Sequence, residues 1–274
     1  MLKIAAVGDN VVDCYRARGE MYPGGNCINV AINARRSGAA TAYVGAIGRD
    51  TAGDVIAAAL TAEGVDISHL RRLDGPTAYC IIGHKDGDRL FESFDLGVSM
   101  FTPSAEDIAF LGSFDAVHVG QSSGLDTHIP TIALRSKLSY DFSVRRDAPH
   151  RRVIGPHCFL ASVSGSDLSE RETLAISGEL QDAGSEWVLI TRGREGALLF
   201  HGHECYTVGT KLVKPVDTLG AGDAFIARTL FGLLAGESPN SLLAEAASLA
   251  ANACLYYGAV GHAALLALPE SYKG

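Results

Sequence analysis

Several short motifs that define common nucleotide-binding and redox proteins are missing from this 274-residue sequence. It contains no G-x-x-x-x-G-K-[ST] segment, which excludes a P-loop phosphate site. No G-x-G-x-x-G follows the first apolar run, which weakens the case for a dinucleotide-dependent oxidoreductase. The six cysteines form no C-x-x-C pair, so neither a zinc ribbon nor a dithiol redox motif is expected.

Long apolar segments and clustered positive charge are also scarce. No apolar run is long enough to cross a bilayer, and residues 1–9 lack the features of a signal peptide. We therefore expect a cytoplasmic protein without a membrane partner. The formal net charge is −8, and lysine and arginine form no groove-sized patch, so nucleic acid is not an expected partner.

The sequence does contain a regular alternation of short apolar runs with helical patterns. This alternation is typical of β-α units around a mostly parallel sheet. Strands are predicted at 4–7, 42–46, 116–119, 138–142, 158–161 and 188–191. Helices are predicted near 26–36, 52–63, 127–136 and 169–183, and over 222–257 with a break at Gly236. The hydrophobic content of 47% supports one main domain over residues 1–274.

One segment interrupts this alternation. Residues 77–82 and 89–94 form two predicted strands, and the Asp86-Gly87 pair between them suits a hairpin turn. A hairpin inserted between β-α units indicates a small β lid, which we assign to about 13–23 and 75–97. A second hairpin is predicted over 197–208.

The most informative segment is Asp217-Thr218-Leu219-Gly220-Ala221-Gly222-Asp223, which comes directly before an amphipathic helix. Small residues at a helix N-terminus let a phosphate approach the free N–H groups and the positive end of the helix dipole. Gly220, Ala221 and Gly222 could therefore form an anion hole. Asp223 could accept a proton from an attacking hydroxyl, or it could simply cap the helix. The residues alone leave these two interpretations balanced.

This segment resembles the D-T-x-G-A-G-D signature of the PfkB, or ribokinase-like, carbohydrate kinases at every fixed position. The segment that begins Gly24-Gly25-Asn26 resembles the glycine pair and helix that face the sugar in this family. The resemblance implies an α/β fold, a three-layer α/β/α sandwich with a mainly parallel central sheet and a small β lid. It implies that Asp223 is the base, and it assigns sugar-binding positions to Asp9, Asp13, Gly25, Asn26 and Asn29.

Residues 191–196 read T-R-G-R-E-G and resemble the T-x-G-x-x-G segment that borders the nucleotide in this family. The resemblance places Thr191, Gly193, Gly196 and Asp217 at the nucleotide. It implies ATP as the phosphoryl donor, Mg²⁺ as the counter-ion of ATP, and activation by K⁺ near Asp217. A homodimer formed through exposed lid strands is compatible with it.

Two departures from the family pattern bear on metal and substrate. An N-x-x-E segment is replaced by residues 161–167, which leaves the metal ligands unassigned. A D-x-N-x-R segment has Ser143 in place of the amide. Both changes resemble the fructoselysine 6-kinase branch, which implies phosphorylation of the 6-hydroxyl of a fructosamine, and Arg89 is the candidate partner for the substrate carboxylate. A fructokinase, a ribokinase, a 2-keto-3-deoxygluconate kinase or a nucleoside kinase remains an alternative.

A rival interpretation comes from residues 120–124, which match G-x-S-x-G after a predicted strand. With Asp217 and His262 downstream, Ser122 could be the nucleophile of an α/β-hydrolase-type esterase. A nucleophile elbow requires a helix directly after the serine, whereas residues 124–127 are predicted as a loop. A catalytically silent sugar sensor is disfavoured by Asp223, because a carboxylate facing a phosphate only weakens binding. We therefore expect a kinase.

Overall fold

The large sheet of the molecule is mainly parallel. The computed structural model describes residues 1–85 and 88–267, without the side chains of residues 84–91. Within these residues the sheet has nine strands, which lie in the order β13 (Glu204–Val208), β12 (Ala197–His201), β11 (Trp187–Thr191), β10 (Cys158–Ser164), β9 (Lys137–Asp141), β8 (Ala116–Gly120), β1 (Lys3–Val7), β4 (Ala40–Gly48) and β5 (Leu70–Leu73). The strands from β11 to β5 are parallel, and β12 and β13 form an antiparallel hairpin at one edge.

Helices cover both faces of this sheet. One face carries α3 (Ala105–Leu111), α4 (Ile129–Ala133), α5 (Ala148–Ile154) and α6 (Glu170–Ala183). The other face carries α1 (Asn26–Arg36), α2 (Thr51–Ala62), α7 (Ala221–Leu234) and α8 (Pro239–Ala253). Side chains of β1 alternate between the two cores, with Ala5 in the first and Ile4 in the second. The predicted three-layer α/β/α sandwich is confirmed.

A second, smaller sheet lies beside the sandwich. Its order is β14 (Ala264–Leu265), β3 (Glu20–Gly24), β2 (Val11–Tyr15), β6 (Tyr79–Lys85) and β7 (Asp88–Asp95). The segments assigned to a lid by sequence supply four of these strands, and β2 and β6 are joined in parallel. The sequence does not predict β14, because two residues are too short to show an alternating pattern.

Several element boundaries differ from the sequence predictions. The helix predicted over 127–136 is confined to α4, because a 3₁₀ turn over residues 126–128 precedes it and an i→i−3 bond from the Arg135 N–H to the Ile132 carbonyl closes its end. The predicted break after α7 is confirmed, since Gly236 has a φ of 71° and Pro239 opens α8. Among the described residues, no helix has the length and apolar character needed to cross a membrane.

The order of the strands determines where a ligand can bind. From β1 the chain continues through α1 to β4, which pairs with one side of β1. The strand β8 pairs with the other side of β1, and the strands that follow it, β9 to β13, extend the sheet away from β4. Such a switch point leaves a crevice at the carboxyl ends of the two strands. The residues that follow β1 and β8 should therefore contribute to a binding site.

Candidate active site

A cavity of about 120 Å³ opens at the carboxyl edge of the large sheet, beside the first turn of α7. This volume corresponds to on the order of ten water-sized spheres, which suits a reacting group rather than a whole nucleotide. The cavity is bordered by residues from β9, β10, β11 and α7: Asp141, Ser143, Ser162, Val163, Ser164, Thr191, Gly222, Asp223 and Ile226. Polar side chains from four elements therefore converge on one small space.

Asp223 connects helices α7 and α1 at this cavity. Its Oδ1 accepts a hydrogen bond of 2.8 Å from Asn26 Nδ2, and its Oδ2 accepts one of 2.7 Å from Asn29 Nδ2. Burial and the nearby charge of Asp141 raise the pKa of Asp223 to about 7, although the two amide donors act in the opposite direction. A half-buried carboxyl group with such a pKa can accept a proton near neutral pH.

Asp141, at the end of β9, is a buried carboxyl group beside the first. Its Oδ1 accepts hydrogen bonds from Ser162 Oγ at 2.9 Å and from the Ser143 backbone N–H at 3.0 Å. Its Oδ2 accepts one from Asn26 Nδ2 at 3.0 Å. Burial raises the pKa of Asp141 to about 6, against the effect of the Ser143 and Ser162 hydrogen bonds. Asn26 therefore bridges two carboxyl groups.

Asp9 fixes the start of helix α1. Its Oδ2 accepts a hydrogen bond from the Asn26 backbone N–H at 3.0 Å, which satisfies one of the free donors at this helix N-terminus. Its Oδ1 accepts a hydrogen bond from Ser123 Oγ at 2.9 Å. Asp9 thus lies against the α1 terminus, at the switch point between β1 and β8.

The G-x-S-x-G segment, residues 120–124, contributes to this site through Ser123, which contacts Asp9, and it does not form a hydrolytic site. Ser122 lies in a 3₁₀ turn and no α-helix follows it directly, so the nucleophile elbow is absent from this part of the described chain. His262 contacts Glu63 at 2.7 Å, and Asp217 accepts hydrogen bonds from Tyr15 and from two backbone N–H groups. The hydrolase triad is therefore not assembled.

The two glycines before α1 have different physical roles. A Cβ on Gly24 would collide with the carboxylate of Asp13, which is buried in β2 of the smaller sheet. Gly25 is the N-cap of α1 with a φ of 102°, and a Cβ there would lie 2.7 Å from the Asn10 Cα. The pair thus lets α1 start close to the ends of β1 and β2.

The predicted anion hole is the first turn of α7. Gly220 is its N-cap with a φ of 76°, and the helix begins at Ala221. Gly222 borders the cavity, and a Cβ there would meet nothing within 4 Å. The first N–H groups of this helix have no acceptor within it, so the turn is suited to an anion.

Of the residues expected at the nucleotide, Thr191 borders the cavity and Asp217 does not. Thr191 ends β11 and borders the cavity, and Gly193 and Gly196 lie in the turn that follows, with φ values of 53° and 91°. Asp217 is absent from the cavity lining, because its carboxylate is bound to Tyr15, Leu219 and Gly258. Arg89 lies in β7, and its side chain is outside the described residues.

The segment that replaces N-x-x-E holds no carboxylate at the cavity. Asp167 is exposed and forms an ion pair of 2.8 Å with Arg146. Within residues 1–85 and 88–267, no three His, Cys, Asp or Glu side chains form a group that could hold a metal ion. All six cysteines lie within these residues, and all are free.

The chain matches a known family over most of its length. The model of the pfkB family carbohydrate kinases matches residues 2–138 and 159–263. The chain belongs to the pfkB family of carbohydrate kinases. The kinase expectation is confirmed at this level, and the esterase alternative is set aside.

The curated relatives of this PfkB kinase include one named for fructosamine and one named for fructoselysine. The chain is 34% identical over 266 residues to a fructosamine kinase, FrlD, of Bacillus subtilis, and the match covers 95% of this chain and 94% of the relative. It is 33% identical over 262 residues to the fructoselysine 6-kinase of Escherichia coli, and the match covers 94% of this chain and 100% of the relative. The resemblance to this branch is therefore confirmed.

A solved structure of ribokinase from Arabidopsis thaliana, complexed with ribose and ATP, has the same fold. The TM-score is 0.82 at 20% identity, with 95% of each chain covered. The ribokinase-like fold expected from the sequence is confirmed.

Asp141, His118 and Ser123 are among the residues of this site that the sequence does not mark as site residues. Asp141 had a signal, because it opens the D-x-x-x-R remnant of a family pattern. His118 on β8 and Ser123 had none, because a lone histidine in an apolar strand and a serine in a turn are common. Both act through residues that were predicted: His118 Nε2 lies 2.8 Å from Asn26 Oδ1, and Ser123 contacts Asp9.

Proposed function

We propose that this kinase transfers the γ-phosphate of MgATP to the 6-hydroxyl of a fructosamine, most closely fructoselysine. The observation that carries the proposal is the position of Asp223. This carboxyl group, with a pKa raised to about 7 by burial, lies in a cavity at the N-terminus of α7, and helix N-termini are suited to bind anions. The identity of the acceptor is supported by the two relatives named for fructosamine and fructoselysine.

In the proposed reaction Asp223 is the general base. The sugar oxygen attacks the γ-phosphorus, its proton passes to the Asp223 carboxylate, and the bond to the departing ADP oxygen breaks. Asn26 and Asn29 hold the two carboxylate oxygens, so that the base is already oriented before the sugar binds. The N–H groups of Gly220, Ala221 and Gly222 would stabilise the charge on the transferring phosphoryl group.

The sugar would lie between the small sheet and the start of α1. We assign Asp9, Asp13, Gly25, Asn26 and Asn29 to this wall, since carboxylate and amide groups are of the kinds that bind sugar hydroxyls. We assign Arg89, on the strand β7 of the same small sheet, to the carboxylate of the amino acid part. Closure of the small sheet as a lid would exclude water from the phosphoryl group.

MgATP would enter as a complex along the strand ends beside Thr191, Gly193 and Gly196. In it, Mg²⁺ neutralises the β- and γ-phosphates. The described residues offer no three-ligand cage, which fits a cation carried by the nucleotide. We also propose that K⁺ activates the enzyme near Asp217, where the loop residues 216–219 and Gly258 lie together.

The test is ADP release measured with fructoselysine, another fructosamine, fructose, ribose and adenosine. We expect fructoselysine to give the highest kcat/KM, and Asp223→Asn to lower kcat by about 10²–10⁴-fold, the usual contribution of a general base. Asp182→Asn, an exposed carboxylate on α6, is the matched control and should keep full activity. If fructose or ribose is preferred, the substrate assignment is wrong; if Asp223→Asn stays active, the mechanism is wrong.

We further propose that the enzyme is cytoplasmic and draws on the cellular pool of ATP.

We also propose a homodimer formed through the small sheet. The strand β7 is an edge strand, and Phe94 on it is 68% exposed. A large apolar side chain on an unpaired edge favours association with a second copy. Sedimentation of the wild-type protein and of Phe94→Lys should show a dimer and a monomer respectively.

A further inference from the structure

A buried chain of hydrogen bonds leads from the core of the large sheet to the two carboxyl groups of the cavity. Ser139 Oγ lies 2.9 Å from His118 Nδ1, and His118 Nε2 lies 2.8 Å from Asn26 Oδ1. The Nδ2 of the same amide contacts Asp141 Oδ2 at 3.0 Å and Asp223 Oδ1 at 2.8 Å. Ser139 and His118 are both fully buried.

The partners at the two ends of this chain fix the direction of every hydrogen bond. The Nδ2 of Asn26 faces one oxygen of Asp141 and one of Asp223, so Nδ2 is the donor and Oδ1 is the acceptor. His118 must then donate through Nε2, which leaves Nδ1 to accept from the Ser139 hydroxyl. Burial lowers the pKa of His118 to about 3, so the imidazole is neutral and has one N–H only.

We infer that His118 is a positioning residue of the kinase: its Nε2–H fixes the Asn26 amide so that the NH₂ group bridges Asp141 and Asp223. This inference rests on the proposed function of Asp223. In the reversed amide, Oδ1 would face two carboxylate oxygens, and two N–H groups would face each other at His118. The two carboxyl groups favour the same orientation at Nδ2, and His118 favours it at Oδ1, where it is the one donor among the described hydrogen bonds.

The backbone of β8 is adapted to the same contact. Gly120 lies two residues after His118, and a Cβ at this position would collide with Asn26 Oδ1. The strand therefore leaves room for the amide and supplies its donor. This accounts for the first glycine of the G-x-S-x-G match, and Ser123 of the same match holds Asp9.

The arrangement has a consequence for the pH dependence of the reaction. The charged groups that face Asp223 are Asp141 on β9 and Asp9 after β1, both acidic, while β10 and β11 contribute only serine and threonine as polar groups to the cavity. The donors that favour its ionised form are Asn26 and Asn29 on α1. Loss of the Asn26 donor would disfavour the carboxylate and move the acid limb of kcat/KM to higher pH.

The test compares His118→Gln with His118→Met. The two side chains have nearly the same shape, but only glutamine can donate an N–H towards Asn26. We expect His118→Met to move the acid limb upward by about one pH unit, which at pH 7 lowers the deprotonated fraction of a base with pKa 7 about fivefold. His118→Gln should keep the wild-type limb. Equal limbs for the two variants, at whatever activity, would overturn the inference.

A measurement on the wild-type protein covers the case in which the variants do not fold. With ¹⁵N-labelled histidine, the inference requires His118 to be neutral and protonated at Nε2 throughout pH 5–8. The Nδ1–H tautomer, or an imidazolium in this range, would contradict it. This measurement needs no substrate, so it tests the His118–Asn26 hydrogen bond separately from sugar-dependent ADP release, which tests the proposed function.

Discussion

Asp223 and Asp141 are held where their surroundings oppose their charge. Both line one cavity, each carboxylate adds to the electrostatic cost of ionising a neighbour, and the pKa values are raised to about 7 and about 6. Four hydrogen bonds from amide and hydroxyl groups reduce this cost without removing it. A base that is reluctant to ionise is stabilised by accepting a proton, which is the step that the transfer reaction requires.

The same raised pKa predicts a pH-dependent cost in stability. The folded Asp223 has a pKa of about 7 against an ordinary value of 3.8, so between these pH values the folded state binds more protons than the unfolded state. Stability is therefore lost as the pH rises through this window. Asp223→Asn cannot ionise, so its Tm should exceed that of the wild type at pH 8, by roughly 2–4 °C for each kcal/mol of electrostatic cost removed. Thermal melts should show this advantage disappear near pH 4; a difference independent of pH would contradict the assignment.

At the scale of the elements, the two glycines at the start of α7 have different roles: one is required by the packing of the fold, and the other borders the cavity. Gly220 has a left-handed backbone, and a Cβ there would lie 2.5 Å from the Ala259 Cβ and 2.7 Å from its Cα. Gly222, in the first turn of the helix, has open space around it and borders the cavity. The first glycine is required by packing, and the second leaves room for a ligand.

This difference predicts opposite behaviour for two alanine substitutions. Gly220→Ala should lower the free energy of unfolding by about 1–3 kcal/mol, because it adds backbone strain and a collision. Gly222→Ala should keep or slightly raise stability, since alanine favours the helix, but its methyl group would intrude on the phosphoryl group and raise KM for ATP or lower kcat. Urea unfolding and ADP-release kinetics on both variants test this. A stable, fully active Gly220→Ala would contradict the packing argument.

At the scale of the whole molecule, the small sheet is tied to the loop before α7. Tyr15, buried in β2, donates its hydroxyl to Asp217, and the rings of Tyr22 and Tyr257 pack edge-on against it at centroid distances of 5.3 Å and 5.9 Å. Asp217 also accepts hydrogen bonds from the N–H groups of Leu219 and Gly258. The first aspartate of the signature therefore connects the small sheet to the loop that leads into α7.

Removal of this single hydroxyl should loosen the connection. Tyr15→Phe is expected to lower the free energy of unfolding by about 1–3 kcal/mol, the cost of a lost hydrogen bond to a charged group. Tyr22→Phe is the matched control: its hydroxyl bonds to Glu20 within the small sheet, and because Glu20 faces solvent and also pairs with Arg18, the loss should be clearly smaller. Denaturant titration of both variants measures the difference. Equal losses would show that Tyr15 does not join the two parts.

The sequence predicts those site residues that lie close together in the chain. Asp223, Gly220 and Gly222 lie in one seven-residue signature, and Gly25 and Asn26 open one helix, so local pattern was sufficient to mark them. The apolar runs likewise located the parallel strands of the large sheet except β5, because a buried strand needs a continuous apolar segment and β5 reads L-R-R-L. Neighbouring residues alone therefore determine the family, the fold and the candidate base.

The partners of that base were decided only by the tertiary structure. His118 and Asn26 are 92 positions apart, and Asp141 and Asn26 are 115 apart, yet they meet because β8 and β9 end at the same edge of the sheet as the start of α1. Asp217 shows the same limit, since its bond to Tyr15 spans 202 positions. A single sequence reports local backbone preference, whereas these contacts depend on strand order, which brings distant strand ends together.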